Sequence, residues 1–298
     1  MQSISEKMNF YKTLIEQRLA DVFPAGMDED GFISDACRYS LLAGGKRIRP
    51  VFCMAVAQML KTPYEKVIVF ACAIEMIHTF SLIHDDLPGM DNDDFRRGMP
   101  TCHRKYGEGI AILAGDALLN KAYEIMINDC ISYPEEGKIK ALGVISEATG
   151  IKGMIGGQGI DLLSEKKKIS YELLRKMHSM KTGALLKAPI ISAALISCAD
   201  SKTLEELEKY SDNIGLAFQI KDDILDVVST SEVLGKTAGK DAETEKSTYV
   251  TLLGLDGARL KLSETVAMAG VSLENLQRAG FDVEFLKGLT KFLLERES

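Results

Sequence analysis

The chain of 298 residues is 46% hydrophobic and 27% charged, enough apolar material for the core of one large domain or two ordinary ones and too much for a disordered chain. A formal net charge of −7, with the basic residues in short local blocks, argues against a nucleic-acid partner, because phosphate-backbone binding needs an extended basic surface. No run is expected to reach the roughly 18 apolar residues of a membrane span, and six cysteines without CxxC spacing (Cys37, Cys53, Cys72, Cys102, Cys130, Cys198) fit buried thiols of a reducing cytoplasm better than a disulfide framework or a zinc site.

Apolar residues recur at three and four, while period-two alternation is rare, so the fold class expected is all-α. The first segment, MQSISEKMNFYKTLIEQRL, is amphipathic with mixed charge and is expected to be neither a secretory signal nor a transit peptide. A helix is expected from near Ser34 to Gly44 and Gly45, which suit a left-handed cap and leave Lys46, Arg47 and Arg49 just past its end. Pro50 opens the next helix. Thr62, Pro63, Tyr64 and Glu65 form a capping-box signature for a long apolar helix that runs to about Asp86, where Pro88 and Gly89 stop it. Gly153, Gly156, Gly157 and Gly159 interrupt a helical pattern at roughly 1 kcal/mol each, which implies close backbone packing or a ligand. Lys166, Lys167 and Lys168 suit a solvated loop. Ser170 caps a segment that carries Lys181 and Thr182 and is expected to bend at Pro189. Asp200 or Thr203 caps the following helix, which reaches Phe218 and Asp226. Residues 229–247 are polar and glycine-bearing, the best candidate for a mobile flap. No linker and no internal repeat divides the chain, so 1–298 is expected to be a single domain.

Two aspartate clusters stand out, DDLPGMD at 85–91 and DDILD at 222–226, each after an apolar helical run. Carboxylates this dense either face water or hold hard cations, and oxygen-only donors without histidine or cysteine suit Mg2+. His78, Ser81, Leu82 and Asp85 recur at three, four and seven, so they share one helix face, with Phe80 about 7–8 Å deeper by helix rise. A wall with carboxylates at its lip and an aromatic ring below fits an amphiphile with an ionic head and an apolar tail. Asp222 and Asp226 share a face, with Asp223 about 100° away. Two such clusters facing a diphosphate would repel it by roughly 1 kcal/mol per charge pair at about 4 Å even in water. Mg2+ removes that conflict and can stabilise a departing diphosphate as a Lewis acid. The basic blocks GGKRIRP and Arg96–Arg97 supply the opposite face.

The ordered set GGKRIRP, HTFSLIHDDLPGMDNDDFRRG, GDALL, GGQGIDL, KTGALL, FQIKDDILD and LGKTAGKD resembles the blocks of the trans-type isoprenyl diphosphate synthases, specifically the bacterial-type farnesyl diphosphate synthases (geranyltranstransferases), from about Gly44 to Tyr249. The resemblance implies a single-domain bundle of long helices around a deep central cavity. It also implies condensation of isopentenyl diphosphate with an allylic partner, dimethylallyl or geranyl diphosphate, after the allylic C–O bond ionises. By the same resemblance, Asp85 and Asp91 would ligate two Mg2+ ions and Asp222 a third, supported by Asp86, Asp223 and Asp226. Lys46, Arg49, His78 and Arg97 would hold isopentenyl diphosphate, and Arg96, Lys181 and Lys236 the allylic diphosphate. Thr182 and Gln219, with the backbone near Lys181, would face the carbocation with oxygen dipoles. The released diphosphate would act as base.

Phe80 and Ser81 stand where this family shapes its cavity floor, and an aromatic at 80 with Pro88 and Gly89 inside the cluster implies a fifteen-carbon farnesyl product. The family further implies a homodimer, and the cysteine usage a cytoplasmic location. Asn92 and Lys221 depart from the common pattern, and neither falls on an expected metal contact. Taken alone, each acidic cluster is an ordinary solvated helix end, His78 a core histidine, Phe80 core and Arg96–Arg97 a surface pair. Their joint order displaces those readings. A ten- or twenty-carbon synthase and a non-catalytic prenyl diphosphate-binding subunit are the alternatives, although such a subunit should have lost acidic residues. A terpene cyclase has no use for a second diphosphate site.

Overall fold

Helical periodicity governs nearly all of the backbone in the computed structural model, which describes residues 3–24, 31–165, 167–228 and 247–294. The helices are α1 (Ile4–Val22), α2 (Phe32–Leu41), α3 (Ile48–Met59), α4 (Ile68–Asp85), α5 (Cys102–Tyr106), α6 (Glu108–Ser132), α7 (Glu136–Thr149), α8 (Met154–Ser164), α9 (Tyr171–His178), α10 (Ala184–Ile196), α11 (Ser201–Val228), α12 (Tyr249–Arg278) and α13 (Glu284–Leu294). The strands among the described residues are a two-residue antiparallel pair, β1 (Phe95–Arg96) and β2 (Met99–Pro100). The all-α expectation therefore holds.

Helices α3, α4 and α10 form the centre. Val51 to Ala57 of α3 and Phe70 to Ile77 of α4 are buried almost without interruption, as expected of helices surrounded by other helices. Around them, α4 packs on α6, α10 on α7 and α11, and α11 on α12. One apolar core runs from Tyr11 and Ile15 in α1 to Leu289 and Leu293 in α13.

Several local expectations are met. Gly44 and Gly45 adopt φ of 82° and 123° after α2, the Ser170 hydroxyl accepts from the Leu173 amide, and the Asp200 carboxylate accepts from the Thr203 amide at 2.7 Å. Others need correction. Thr62 and Glu65 form no capping box: Lys61 adopts φ of 56°, and the Lys61 and Thr62 amides donate to the Gln58 and Ala57 carbonyls. Residues 60–62 thus finish α3 in a left-handed stop. A short 3-10 turn (Tyr64–Lys66) intervenes, and α4 starts at Ile68. Helix α3 opens at Ile48, two residues before Pro50, whose missing N–H costs nothing in a first turn. Pro189 lies inside α10; regular winding breaks earlier, in a π turn at Ser179–Gly183.

Helices α4 (18 residues, mean hydropathy 1.4) and Tyr171–Ile196 (26 residues, 1.2) are long and apolar enough to cross a membrane, contrary to expectation, but 67% and 56% of those stretches are buried inside the fold. They are apolar because they form the core. All six cysteines are free; Cys198 is exposed and Cys130 half-buried, so only four fit the buried-thiol expectation. The proposed flap, with Lys236, and Lys166 lie outside the described residues, apart from Ser247.

Candidate active site

The first acidic cluster begins where α4 ends, so its carboxylates sit at the negative pole of a buried helix, a position that favours cations. The chain then folds back: the Asp91 amide donates to the Asp85 carbonyl at 2.8 Å, and the Met90 and Asn92 amides donate to the Leu87 carbonyl. Asn92 takes φ of 51° there, a left-handed conformation that asparagine tolerates better than most residues.

Within this turn the aspartates have different fates. Asp86 is 2% exposed and is gripped by Arg96, whose Nε lies 2.9 Å from both carboxylate oxygens and whose second nitrogen lies 2.6 Å from Oδ1. The β1–β2 hairpin carries Arg96 back over the turn. Burial pushes the Asp85 carboxyl up to about 6; Lys181 and Arg96 oppose that rise, while Asp91 and Asp86 add to it. Asp85, Asp86, Asp91, Arg96 and Lys181 therefore share one electrostatic neighbourhood.

A second gathering lies about two to three turns down α4. Lys46, Arg47, Arg49, His78 and Arg97 line a cavity of about 310 Å3 with Glu75, Leu186, Phe218 and Phe292. Glu75 is already committed to Arg47 at 2.8 Å, and Arg47, 3% exposed, also donates to the Leu41 carbonyl. Arg47 thus holds the loop, while the other cations face the cavity. Gly45 suits this packing: its φ of 123° is a backbone conformation that glycine adopts without strain, a Cβ there would crowd the Arg97 guanidinium carbon at 2.8 Å, and Arg97 donates to the Gly44 carbonyl. Burial, then the guanidinium groups of Arg49, Arg97, Arg96 and Arg47, hold the His78 imidazole well below its ordinary pKa. At neutral pH it is an uncharged hydrogen-bonding group among cations.

Opposite α4, the π turn, α11 and the start of α12 join in one relay. The Thr182 hydroxyl donates to Gln219 Oε1 at 3.2 Å, Gln219 Nε2 donates to Asp223 Oδ1 at 2.9 Å, and the Tyr249 amide donates to Asp223 Oδ2 at 2.7 Å. The charged, acceptor-only Asp223 fixes the Gln219 amide, leaving its oxygen for Thr182. Asp223 is 4% exposed, whereas Asp222 and Asp226, on the other face of α11, are half-buried.

Asp161 is a functional candidate that the sequence did not single out. It binds Lys181 Nζ at 2.6 Å and so aims that ammonium toward Asp85. Gly157, one turn earlier, makes the approach possible, because a Cβ there would lie 2.2 Å from the Lys181 amide nitrogen. Gly153 and Gly156 are equally tight against backbone carbonyls, whereas Gly159 meets nothing. Gln158 carries a carboxamide whose oxygen and nitrogen are both buried without a partner among the described residues. The glycine pattern was the available signal for this wall.

The face shared by His78, Ser81, Leu82 and Asp85 is the half-exposed side of α4, as its periodicity predicts. Phe80 is different. It is 7% exposed, lies about 140° around the helix from Asp85 at 100° per residue, and meets the His84 ring at 4.9 Å, toward α6 instead of the Asp85 face.

Among the described residues no three His, Cys, Asp or Glu side chains cluster tightly enough to hold a cation by themselves. Paired carboxylates at helix C-termini still fit Mg2+, which keeps several waters and takes one or two carboxylates plus substrate phosphates.

A polyprenyl synthetase family model matches residues 30–278. The chain is 43% identical to the farnesyl diphosphate synthase of Escherichia coli over 89% of each chain, and 40% identical to that of Micrococcus luteus over 99% of this chain and 98% of the other. It is also 48% identical to a geranylgeranyl diphosphate synthase of Cyanophora paradoxa over 82% of this chain and 81% of the other. Among solved structures, a farnesyl/geranylfarnesyl (FPP/GFPP) synthase of Zymomonas mobilis superimposes with a TM-score of 0.87 at 31% identity, covering 97% of this chain and 98% of that one. The chain therefore belongs to the polyprenyl synthetase family and is a prenyltransferase, a prenyl diphosphate synthase of the all-α isoprenoid synthase fold.

Proposed function

We propose that this chain is a farnesyl diphosphate synthase, acting over 1–298 as one catalytic domain. The observation that carries the reading is an acidic mouth next to a separate cationic cavity on the same helix, which suits two diphosphate substrates. Asp85, Asp91 and Asp222 would hold Mg2+, which supplies Lewis-acid stabilisation of the departing diphosphate. Asp86, Asp223 and Asp226 would support them; Asp86 anchors Arg96, and Asp223 orients Gln219. Arg96 and Lys181, each already bound to a carboxylate, would share their remaining donors with the allylic diphosphate, and Lys236 would join them from outside the described residues. The cavity of Lys46, Arg49, neutral His78 and Arg97 would fix isopentenyl diphosphate. Thr182 and Gln219 would turn oxygen dipoles toward the allylic cation, stabilising it without attacking it.

The buried aromatic Phe80 supports a fifteen-carbon product, as do the farnesyl synthases aligned over almost the whole chain. The exposed apolar residues Ile112, Leu113, Ile127 and Ile131 of α6 suit a homodimer face, and free thiols suit the cytoplasm. The test is incubation with labelled isopentenyl diphosphate, either allylic diphosphate and Mg2+, with a chelator control. A metal-dependent fifteen-carbon alcohol after dephosphorylation is expected; a twenty-carbon product would overturn the chain-length assignment while leaving the chemistry intact.

A further inference from the structure

Phe80 does not stop itself. Its ring meets the edge of the His84 imidazole, one turn later on α4, with centroids 4.9 Å apart and planes at 77°, the edge-to-face geometry that aromatic rings prefer. His84 is in turn tied to α6: its Nε2 lies 3.1 Å from the Ile112 carbonyl, and because a carbonyl can only accept, that nitrogen carries the proton. The Nε2 edge of the imidazole abuts α6 at Gly115. A Cβ there would fall 2.1 Å from Nε2, 2.4 Å from Cδ2 and 3.0 Å from Cε1, so any larger residue would displace the ring from this position. Glycine is otherwise disfavoured in the interior of a 25-residue helix such as α6, and this contact accounts for its presence.

We propose that His84, seated on Gly115 and hydrogen-bonded to the Ile112 carbonyl, is the positioning residue that holds the Phe80 ring in place and thereby sets product length. The proposal rests on the reading of Phe80 as the chain-length floor. The physical argument is one of restraint. A phenyl ring on a helix can swing between staggered χ1 wells, and a growing apolar chain that presses on it selects any well that yields space. His84 blocks movement toward α6, and α6 anchors His84 at two points. The barrier is thus a three-part stack across the α4–α6 interface.

The test compares the ratio of twenty- to fifteen-carbon products from the full chain, wild type against Phe80→Ala, His84→Ala and His84→Asn, with Mg2+ and geranyl diphosphate plus excess isopentenyl diphosphate. The ratio is internal to each reaction, so a general loss of rate or stability does not move it. His84→Asn removes the ring while keeping a polar side chain, and serves if His84→Ala folds poorly. Loss of the ring contact is expected to raise the ratio roughly three- to tenfold in both His84 variants, less than in Phe80→Ala. An unchanged ratio in the His84 variants beside a lengthened product from Phe80→Ala would overturn the positioning role alone. An unchanged ratio in Phe80→Ala would overturn the floor reading itself and this proposal with it.

Discussion

The two acidic clusters solve one problem by different means. Each lies near the C-terminal end of a helix, each buries one carboxylate and leaves its neighbours half-exposed, and each buried carboxylate carries a second function. In the first cluster Asp86 is neutralised by a side chain, Arg96, which reaches it only because the β1–β2 hairpin folds back. In the second, Asp223 accepts from Gln219 and from the first amide of α12, two neutral donors fixed in the framework. A carboxylate paired to an arginine side chain has a partner that an incoming diphosphate could share; one capping a helix start is bound to a backbone amide. In the proposed function the first cluster would meet substrate, while the second ties α11, α12 and the Thr182–Gln219 relay together.

The sharpest break of that comparison is at the half-exposed members. Asp85→Asn and Asp222→Asn should each lower kcat by on the order of 10² to 10³ at saturating Mg2+, the loss typical of removing a charge-stabilising group, measured by steady-state turnover. Equal losses would make the clusters partners around one substrate, and a loss confined to one would leave the other structural. Next come the buried members. Asp86→Ala strands Arg96, and removing one partner of a buried pair costs about 3 kcal/mol. Asp223→Ala forfeits charge-assisted bonds worth about 2 kcal/mol. Urea unfolding monitored by circular dichroism separates the two, and the reverse order would refute the assignment of the stronger anchor.

Asp161→Asn sharpens the picture of the opposite wall. Loosening Lys181 should reduce kcat/KM for the allylic substrate roughly tenfold, about one charge-assisted hydrogen bond, while KM for isopentenyl diphosphate, proposed to bind in the other cavity, stays put. Equal effects on both substrates would mean the whole site had shifted.

The smallest effect tests the cationic cavity. The His78 pKa is lowered in the folded state, so below the unfolded value near 6.5 the unfolded chain binds the extra proton. Stability from this group is therefore complete above about pH 7 and falls as the pH drops through the unfolded value near 6.5. His78→Gln should flatten that part of the pH–stability profile; an identical slope in the variant would mean that His78 ionises freely.

Much of this site was legible because its signals are local. Helix periodicity put His78, Ser81 and Asp85 on one face, and they share it. The glycines around 157 announced close backbone contact, and the Lys181 amide provides it. Where local signals competed, the sequence was ambiguous: Thr62 to Glu65 carries a capping-box pattern, but residues 60–62 were already committed to ending α3. Asp161 escaped notice because a lone acid in an apolar helix has no distinctive pattern, and its bond to Lys181 joins residues twenty apart.

The sequence alone determined the fold class, the position of both acidic clusters and the composition of the basic block, since periodicity, stop signals and charge density are properties of contiguous residues. Only the tertiary structure decided which carboxylates are spent on structure, that His78 is neutral, and that the His84 ring beside Phe80 packs on Gly115 of α6. Those outcomes depend on burial and on partners from distant segments, and both the desolvation of a charge and the steric limit on a ring are fixed only when helices far apart in the chain come together.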